Sequence, residues 1–445
     1  MISPSAIAYQ SRPEATVDSA ARASQPRHLA FVSTFYYPRM RGGAEHSLQH
    51  HAESLVQRGI RVSVISLHDG KKPERQVHRG VECHALPAPH FASCLSQEHR
   101  APAVTRALWH VVDVYNAAAG SLLESELRQI GPDLVQTENL PGWSCAAWDA
   151  IRRLGLPHVQ MLHDFQLTCP AATRFKDGCN CESTCFSCAP FTAIPRQRSQ
   201  RVEHVVANSR YTRDLYRRLG YFGGARTFDV IYGAVPPVEQ TTPIASEPGR
   251  LRIGYLGRLH PTKGVRQLIE AFAQVGRPDA VLRIAGRGTD EFEAELRAAA
   301  GGHAVEFLGH TPANAFLDAI DVLVVPSLWH EPMGRVVIEA ATHGVPVIVA
   351  TRGGLTELFV EGKTGWAFEP TAPVELVDRL RQVDLATLHA MRSDCRQFAA
   401  DFAPDPIADR WIALYSRLIA PRTAMGTGRP VGDSASREGV FQRTL

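Results

Sequence analysis

The sequence predicts an α/β protein of two domains, each a parallel sheet with helices packed on its faces. Three observations carry this. Strand-like apolar runs alternate with helical segments along most of the chain. The alternation breaks once, at a cluster of prolines, and then restarts. The chain has 445 residues, too many for a single hydrophobic core of ordinary size.

Residues 1–27 are rich in Ala, Ser and Arg, carry Glu14 and Asp18, and hold no continuous apolar run. They read as a disordered leader, not a secretory signal. The first domain is expected over 28–235. It opens with a strand at 28–33, a loop through Pro38, Gly42 and Gly43, and a helix over 44–58 with Leu48, His51, Leu55 and Val56 at helical spacing and Gly59 ending it. Strands at 61–66, 133–136, 158–162 and 204–207 continue the series. Pro236, Pro237, Pro243 and Pro248 mark a linker over 236–249. The second domain, 250–400, restarts alike: a strand at 251–256, a loop over 257–264 and a helix over 265–275. Strands at 280–285, 304–308, 322–325 and 345–349 follow. A last helix within 401–419 gathers Ile407, Trp411, Leu414, Tyr415 and Leu418 on one face, and 420–445 reads as a disordered tail.

Composition narrows the function. Hydrophobic residues make up 44% and charged residues 21%, as in ordinary soluble proteins. Lys plus Arg is 48 against 45 for Asp plus Glu, a net +3, so no nucleic-acid partner is expected from bulk charge. No run approaches the about 18 apolar residues of a membrane span. Five of the nine cysteines fall between Cys169 and Cys188. Without a secretory signal, a cytoplasmic protein with reduced thiols is expected, not a disulfide scaffold.

The segment from His330 to Val347 carries the strongest chemical signal. A helix opened by Pro332 and ended by Gly344 would turn the backbone N–H groups of Met333, Gly334 and Arg335 toward an anion or an electron-rich hydroxyl. Glu331 stands just ahead of it and Glu339 about two turns along. On their own, two glutamates at this spacing are more often solvated surface charges. In context, Glu331 to Glu339 resembles the Glu-x7-Glu motif of glycosyltransferase family 4, retaining enzymes of the GT-B fold. Gly257-Arg258-Leu259 with Lys263-Gly264 resembles that family's donor-phosphate loop. Ala207-Asn208-Ser209-Arg210, Ile231-Tyr232-Gly233, Ala285-Gly286-Arg287-Gly288 and Gly353-Gly354-Leu355-Thr356-Glu357 stand in the family's order, so the likeness runs from about 28 to 418.

The resemblance implies two Rossmann-like domains facing across a cleft, with the last helix crossing back to the first domain. It implies a nucleotide-diphosphate sugar held mainly by the second domain, and a glycan, lipid-linked or small-molecule acceptor held mainly by the first. Family members commonly build surface polysaccharides or glycoconjugates. One glutamate would face the sugar, and Glu339 would accept from the ribose hydroxyls. The leaving diphosphate gains negative charge, which the cations Arg258 and Lys263 would stabilise. The chain has no Asp-x-Asp pair, so no cofactor is expected to be required and no catalytic metal is assigned. Gly42-Gly43 is implied to approach the diphosphate from across the cleft, and His163, in His163-Asp164, to lie by the donor sugar through its carbonyl or its ring. Retention would follow from front-face attack, with the departing phosphate taking the acceptor's proton.

Other readings stay open. A phosphorylase or sugar-nucleotide epimerase would share the fold. A dinucleotide-dependent oxidoreductase is disfavoured, because neither first strand leads into Gly-x-Gly-x-x-Gly. Cys169-Pro170 and Cys179-x-Cys181-x3-Cys185-x2-Cys188 could hold a structural zinc or an iron–sulfur cluster that pins a loop on the acceptor side, could serve a metal or redox sensor, or could be unligated thiols. The Arg196–Arg201 stretch, with Arg213, Arg217 and Arg218, could rest on an anionic membrane surface or form a solvated helix face.

Overall fold

A computed structural model describes residues 25–89, 102–238 and 249–420. Most of the expected leader, linker and tail, and Cys94, lie outside the described residues.

The first sheet has the strands β1 (His28–Val32), β2 (Arg61–His68), β3 (Glu74–His78), β4 (Val81–Pro87), β5 (Leu134–Thr137) and β6 (His158–Leu162). A two-residue hairpin, β7 (Phe175–Lys176) and β8 (Cys179–Asn180), stands apart from it, and β9 (His204–Ala207) and β10 (Thr227–Val230) complete it. Its order is β10-β9-β6-β5-β1-β2-β4-β3, and only β3 pairs antiparallel. Successive side chains on β1 point to opposite faces. Ala30 and Val32 therefore enter one core, with Leu123, Trp143 and Phe165, while Leu29 and Phe31 enter another, with Leu48 and Leu55.

The second sheet holds β11 (Leu251–Leu256), β12 (Ala280–Ala285), β13 (Val305–Gly309), β14 (Val322–Val325), β15 (Val347–Ala350) and β16 (Gly365–Phe368). All of its pairings are parallel, in the order β13-β12-β11-β14-β15-β16. The chain winds outward from β11 to β13 and then returns to the other side of β11. Loops leaving the carboxyl ends of β11 and β14 therefore part there and leave a crevice, the place where such sheets bind ligands. The Leu328 N–H donates to the Thr262 carbonyl at 2.9 Å and zips the two loops together at its base.

The helix Pro404–Ile419 crosses back onto the first domain. Ile407, Trp411, Leu414 and Tyr415 complete the core that holds Leu29 and Phe31. Trp411 packs on the His51 ring at 4.9 Å, and Tyr415 donates its hydroxyl to Gln136 Oε1 at 2.7 Å. Arg58 pairs with Asp405 at the helix start, 2.5 Å away. Among the described residues, no helix is long and apolar enough to cross a membrane.

Candidate active site

Glu331 sits on the loop after β14, only 7% exposed. Its Oε1 accepts from Lys263 Nζ at 2.6 Å, Ser327 Oγ at 2.6 Å and Trp329 Nε1 at 2.9 Å. Its Oε2 has no protein donor among the described residues and remains open to a ligand. Lys263 ends a short 3-10 turn, Pro261–Lys263, and its ammonium also lies 5.0 Å from the centre of the Trp329 ring. Gly264 follows with φ +70, and a Cβ there would stand 1.9 Å from the Pro326 carbonyl. Only glycine lets the two loops close this tightly. Arg258, on the same loop, is exposed and has no ion pair among the described residues.

The helix after Glu331 spans Arg335–Thr342, so the expected start at Pro332 is three residues early. Gly334 adopts φ +101 ahead of it, and the Pro332 carbonyl is taken from across the cleft by Ser209 Oγ and by Thr212 Oγ1 at 3.1 Å. The N–H groups of Met333, Gly334 and Arg335 find no acceptor among the described residues. Arg335 donates its Nε to Glu339 Oε1 at 2.7 Å and its Nη1 to Ser47 Oγ at 3.1 Å and the Ala234 carbonyl at 2.8 Å. It thus ties this helix to the first domain. Gly43 lies beside it, since a Cβ there would meet Arg335 Cδ at 3.9 Å. Gly42 caps the helix Gly43–Gln57 in extended backbone. Both glycines leave the facing wall bare.

His163 follows β6. Its Nε2 makes a short hydrogen bond to the buried Glu138 carboxylate, which also accepts from Gln136 Nε2 at 2.5 Å. Burial opposes protonation of this ring, but the charge of Glu138 and its hydrogen bond outweigh that and raise the His163 pKa. The His163 carbonyl accepts from Asn208 Nδ2 at 2.8 Å. His163 and Glu138 line a narrow crevice with Ser47, Tyr232 and Gly233, next to Arg335. A cavity of about 530 Å³ lies elsewhere, between Leu317, His343 and Arg396.

The pH dependence of stability tests the His163–Glu138 pair. A raised histidine pKa contributes stability that is full below the ordinary histidine value and is lost as pH rises through the folded-state value. Glu138→Gln should therefore cost more stability at about pH 6 than at about pH 8. Urea midpoints at the two pH values check this, and an equal cost at both would contradict the assigned charge.

Several groups in the site have no signal in sequence spacing. Glu138, Ser47, Ser327 and Trp329 are contacts made only by the fold. Glu357, in the quoted Gly353–Glu357 segment, accepts from the Arg210 N–H at 2.8 Å, the Tyr211 N–H at 2.7 Å and the Tyr232 hydroxyl at 2.7 Å. It caps the helix Arg210–Arg218 from the opposite domain. The cysteine segment also crosses the cleft. Asn180 donates its Nδ2 to the Leu328 carbonyl at 2.9 Å and accepts from the His330 N–H at 2.8 Å. The expectation of an acceptor-side loop is therefore incomplete, because this segment grips the loop that leads into Glu331. Part of the basic stretch is spent internally: Arg198 pairs with Asp149 at 2.8 Å, and Arg217 lies over the Phe228 ring.

Known proteins are similar to this chain in sequence and in fold. A family model described as glycosyl transferases group 1 matches residues 239–400, and one described as glycosyltransferase family 4 matches 41–239. A 42.6 kDa protein of the cps region of Klebsiella pneumoniae is 31% identical over 331 residues, spanning 74% of this chain and 87% of its own. Among solved structures, sucrose-phosphate synthase from Thermosynechococcus elongatus superposes with a TM-score of 0.68 at 18% identity, covering 88% of this chain and 99% of that one. Anabaena HepE, in complex with UDP and glucose, does so with a TM-score of 0.65 at 20% identity, covering 88% and 100%. At these identities the two structures show a shared fold.

Proposed function

The chain belongs to glycosyltransferase family 4 and has the GT-B fold, and from that premise we propose that it is a retaining transferase that moves a sugar from a nucleotide-diphosphate donor to a glycan, lipid-linked or small-molecule acceptor. The observation that carries this is the pairing of Lys263 with Glu331 at the crevice between β11 and β14, with one oxygen of Glu331 left open. The open oxygen suits a sugar hydroxyl. Lys263 and the unpaired Arg258 suit the diphosphate, whose growing charge they would stabilise as the glycosidic bond breaks. The free N–H groups from Met333 to Arg335 would offer a further anion contact at a helix start, and Glu339 Oε2 would suit the ribose hydroxyls.

On this reading Gly42 and Gly43 leave room for the diphosphate, and His163, its ring held by Glu138 and its carbonyl by Asn208, would lie by the donor sugar. The acceptor attacks from the face the diphosphate leaves, and the departing phosphate takes its proton. HepE, solved with UDP and with UDP-glucose, supports UDP as the first nucleotide to try. The resemblance and the cps-region relative support a role in surface polysaccharide or glycoconjugate synthesis. Exposed arginines around the helix Ala189–Ser199 would suit a cytoplasmic enzyme resting on an anionic membrane.

A thermal-shift panel of UDP-, GDP- and ADP-sugars, followed by NMR of the product's anomeric configuration, tests the proposal. One donor class should stabilise the chain and yield a retained linkage. An inverted product, or transfer only to phosphate, would sink it.

A further inference from the structure

The segment from Cys169 to Cys188 holds an irregular shape with little to hold it. Its only sheet is the two-residue pair β7–β8, and Phe186 is 98% exposed. Ala172, Arg174 and Asp177 all adopt positive φ, between 49 and 56. Such backbone is strained in a non-glycine residue and persists only where its surroundings enforce it. Yet the segment must be ordered, because Asn180 at its tip is hydrogen-bonded to both Leu328 and His330.

What gathers inside it is sulfur. Cys185 Sγ and Cys188 Sγ are 3.0 Å apart, on a turn closed by the Cys188 N–H and the Cys185 carbonyl at 3.0 Å. The Cys169 thiol acts electrostatically on Cys188, and Cys181 is within electrostatic range of both Cys169 and Cys185. Cys179 is exposed. Arg174 and Lys176 also act on Cys181, and Arg174, itself buried, donates to the Cys181 carbonyl at 2.6 Å and the Ser183 carbonyl at 3.1 Å.

We propose that Cys169, Cys181, Cys185 and Cys188 bind one zinc ion, which fastens this segment and, through Asn180, fixes the loop that carries Glu331. An all-thiolate set of four selects a tetrahedral zinc-type site. Among the described residues, no three such side chains already stand as a metal cage. Sulfurs around zinc lie about 3.8 Å apart, from Zn–S bonds of about 2.3 Å. Ligation therefore spreads the Cys185–Cys188 pair slightly and draws Cys169 and Cys181 in. Each thiol gives its proton to solvent as it ligates. The site then carries two negative charges, which Arg174 and Lys176 offset. A Cys185–Cys188 disulfide would do less: its ring is too short to restrain the segment, whereas a metal joins Cys169 at one end to Cys188 at the other.

The zinc itself is independent of the proposed transferase reading, and only the effect on Glu331 rests on it. The full chain, purified under reducing conditions, should contain about one zinc per chain by mass spectrometry, as a closed structural site requires. Cobalt exchanged into it should show thiolate charge-transfer bands. Cys181→Ser and Cys185→Ser should lose the metal, while Cys179→Ser keeps it. Asn180→Ala should keep the zinc but raise the donor KM and lower kcat, with acceptor KM unchanged.

Reduced wild-type chain that takes up neither zinc nor cobalt overturns the proposal, and this holds even if the variants fail to fold. So does iron with acid-labile sulfide, or a native Cys185–Cys188 disulfide. Zinc retained with unchanged kinetics in Asn180→Ala removes the link to Glu331, while donor turnover lost across the whole panel in a zinc-loaded chain counts against the transferase reading alone.

Discussion

Lys263→Ala is expected to lower kcat by about a hundredfold to a thousandfold, the range seen when one preorganised electrostatic stabiliser is removed. Two losses combine. The diphosphate loses a cation held at the crevice floor, and Glu331 loses its charged partner while staying buried. The remaining donors to Glu331, Ser327 Oγ and Trp329 Nε1, are neutral. An uncompensated buried carboxylate also destabilises the fold, so the melting temperature should fall together with turnover. Lys263→Arg should rescue only part, because a forked guanidinium does not fit a seat shaped for one ammonium.

Arg258→Ala offers the contrast. Arg258 is exposed and unpaired among the described residues, so turnover should fall roughly tenfold or more with the melting temperature unchanged. Turnover should need no added magnesium or manganese. Steady-state kinetics and thermal melts on the three variants separate the two roles. Near-normal turnover by folded Lys263→Ala would remove that residue from the machinery, and strict dependence on either metal would contradict the cation pair.

Glu339→Ala should weaken binding of the nucleoside diphosphate by several-fold to about a hundredfold, the loss of one charged acceptor worth about 1–3 kcal/mol. The complication is Arg335. Glu339 holds its Nε, and Arg335 in turn reaches Ser47 and Ala234 on the other side of the cleft. Weaker binding could then report a loosened domain contact instead of a lost ribose contact. Ser47→Ala distinguishes them, because it cuts only the far end of that chain. Calorimetry with the nucleoside diphosphate should show a clearly larger loss for Glu339→Ala than for Ser47→Ala. Equal losses would assign Glu339 to positioning, and unchanged affinity would end the ribose assignment.

The two sheets were legible because parallel strands are buried on both faces and spell themselves out as apolar runs, as Val322–Val325 does. The strand Glu74–His78 was not. It is a polar edge with Val77 70% exposed, and only antiparallel pairing with β4 makes it a strand. The helix at Pro332 was misplaced for a tertiary reason. Its carbonyl serves Ser209 and Thr212, and Gly334 packs so closely on Leu355 that a Cβ would stand 2.3 Å from Leu355 Cδ2. Lys263 and Glu331 were each readable as candidates, but their contact was not. It spans 68 positions and exists because β11 and β14 are neighbours. His163 likewise carried a local signal, while its partner Glu138, at the end of the adjacent strand, carried none.

The closing helix ties the order of synthesis to the order of folding. Domains usually fold from the amino end as they leave the ribosome. Here the face of the first sheet that presents Leu29 and Phe31 lacks Trp411, Leu414 and Tyr415 until nearly the whole described chain has been made. The first half must wait, partly open, while the second is translated. For the same reason, the junction near residue 239, where the two family models meet, is a poor place to cut. A fragment ending there would present that apolar face to water, and with it a route to aggregation.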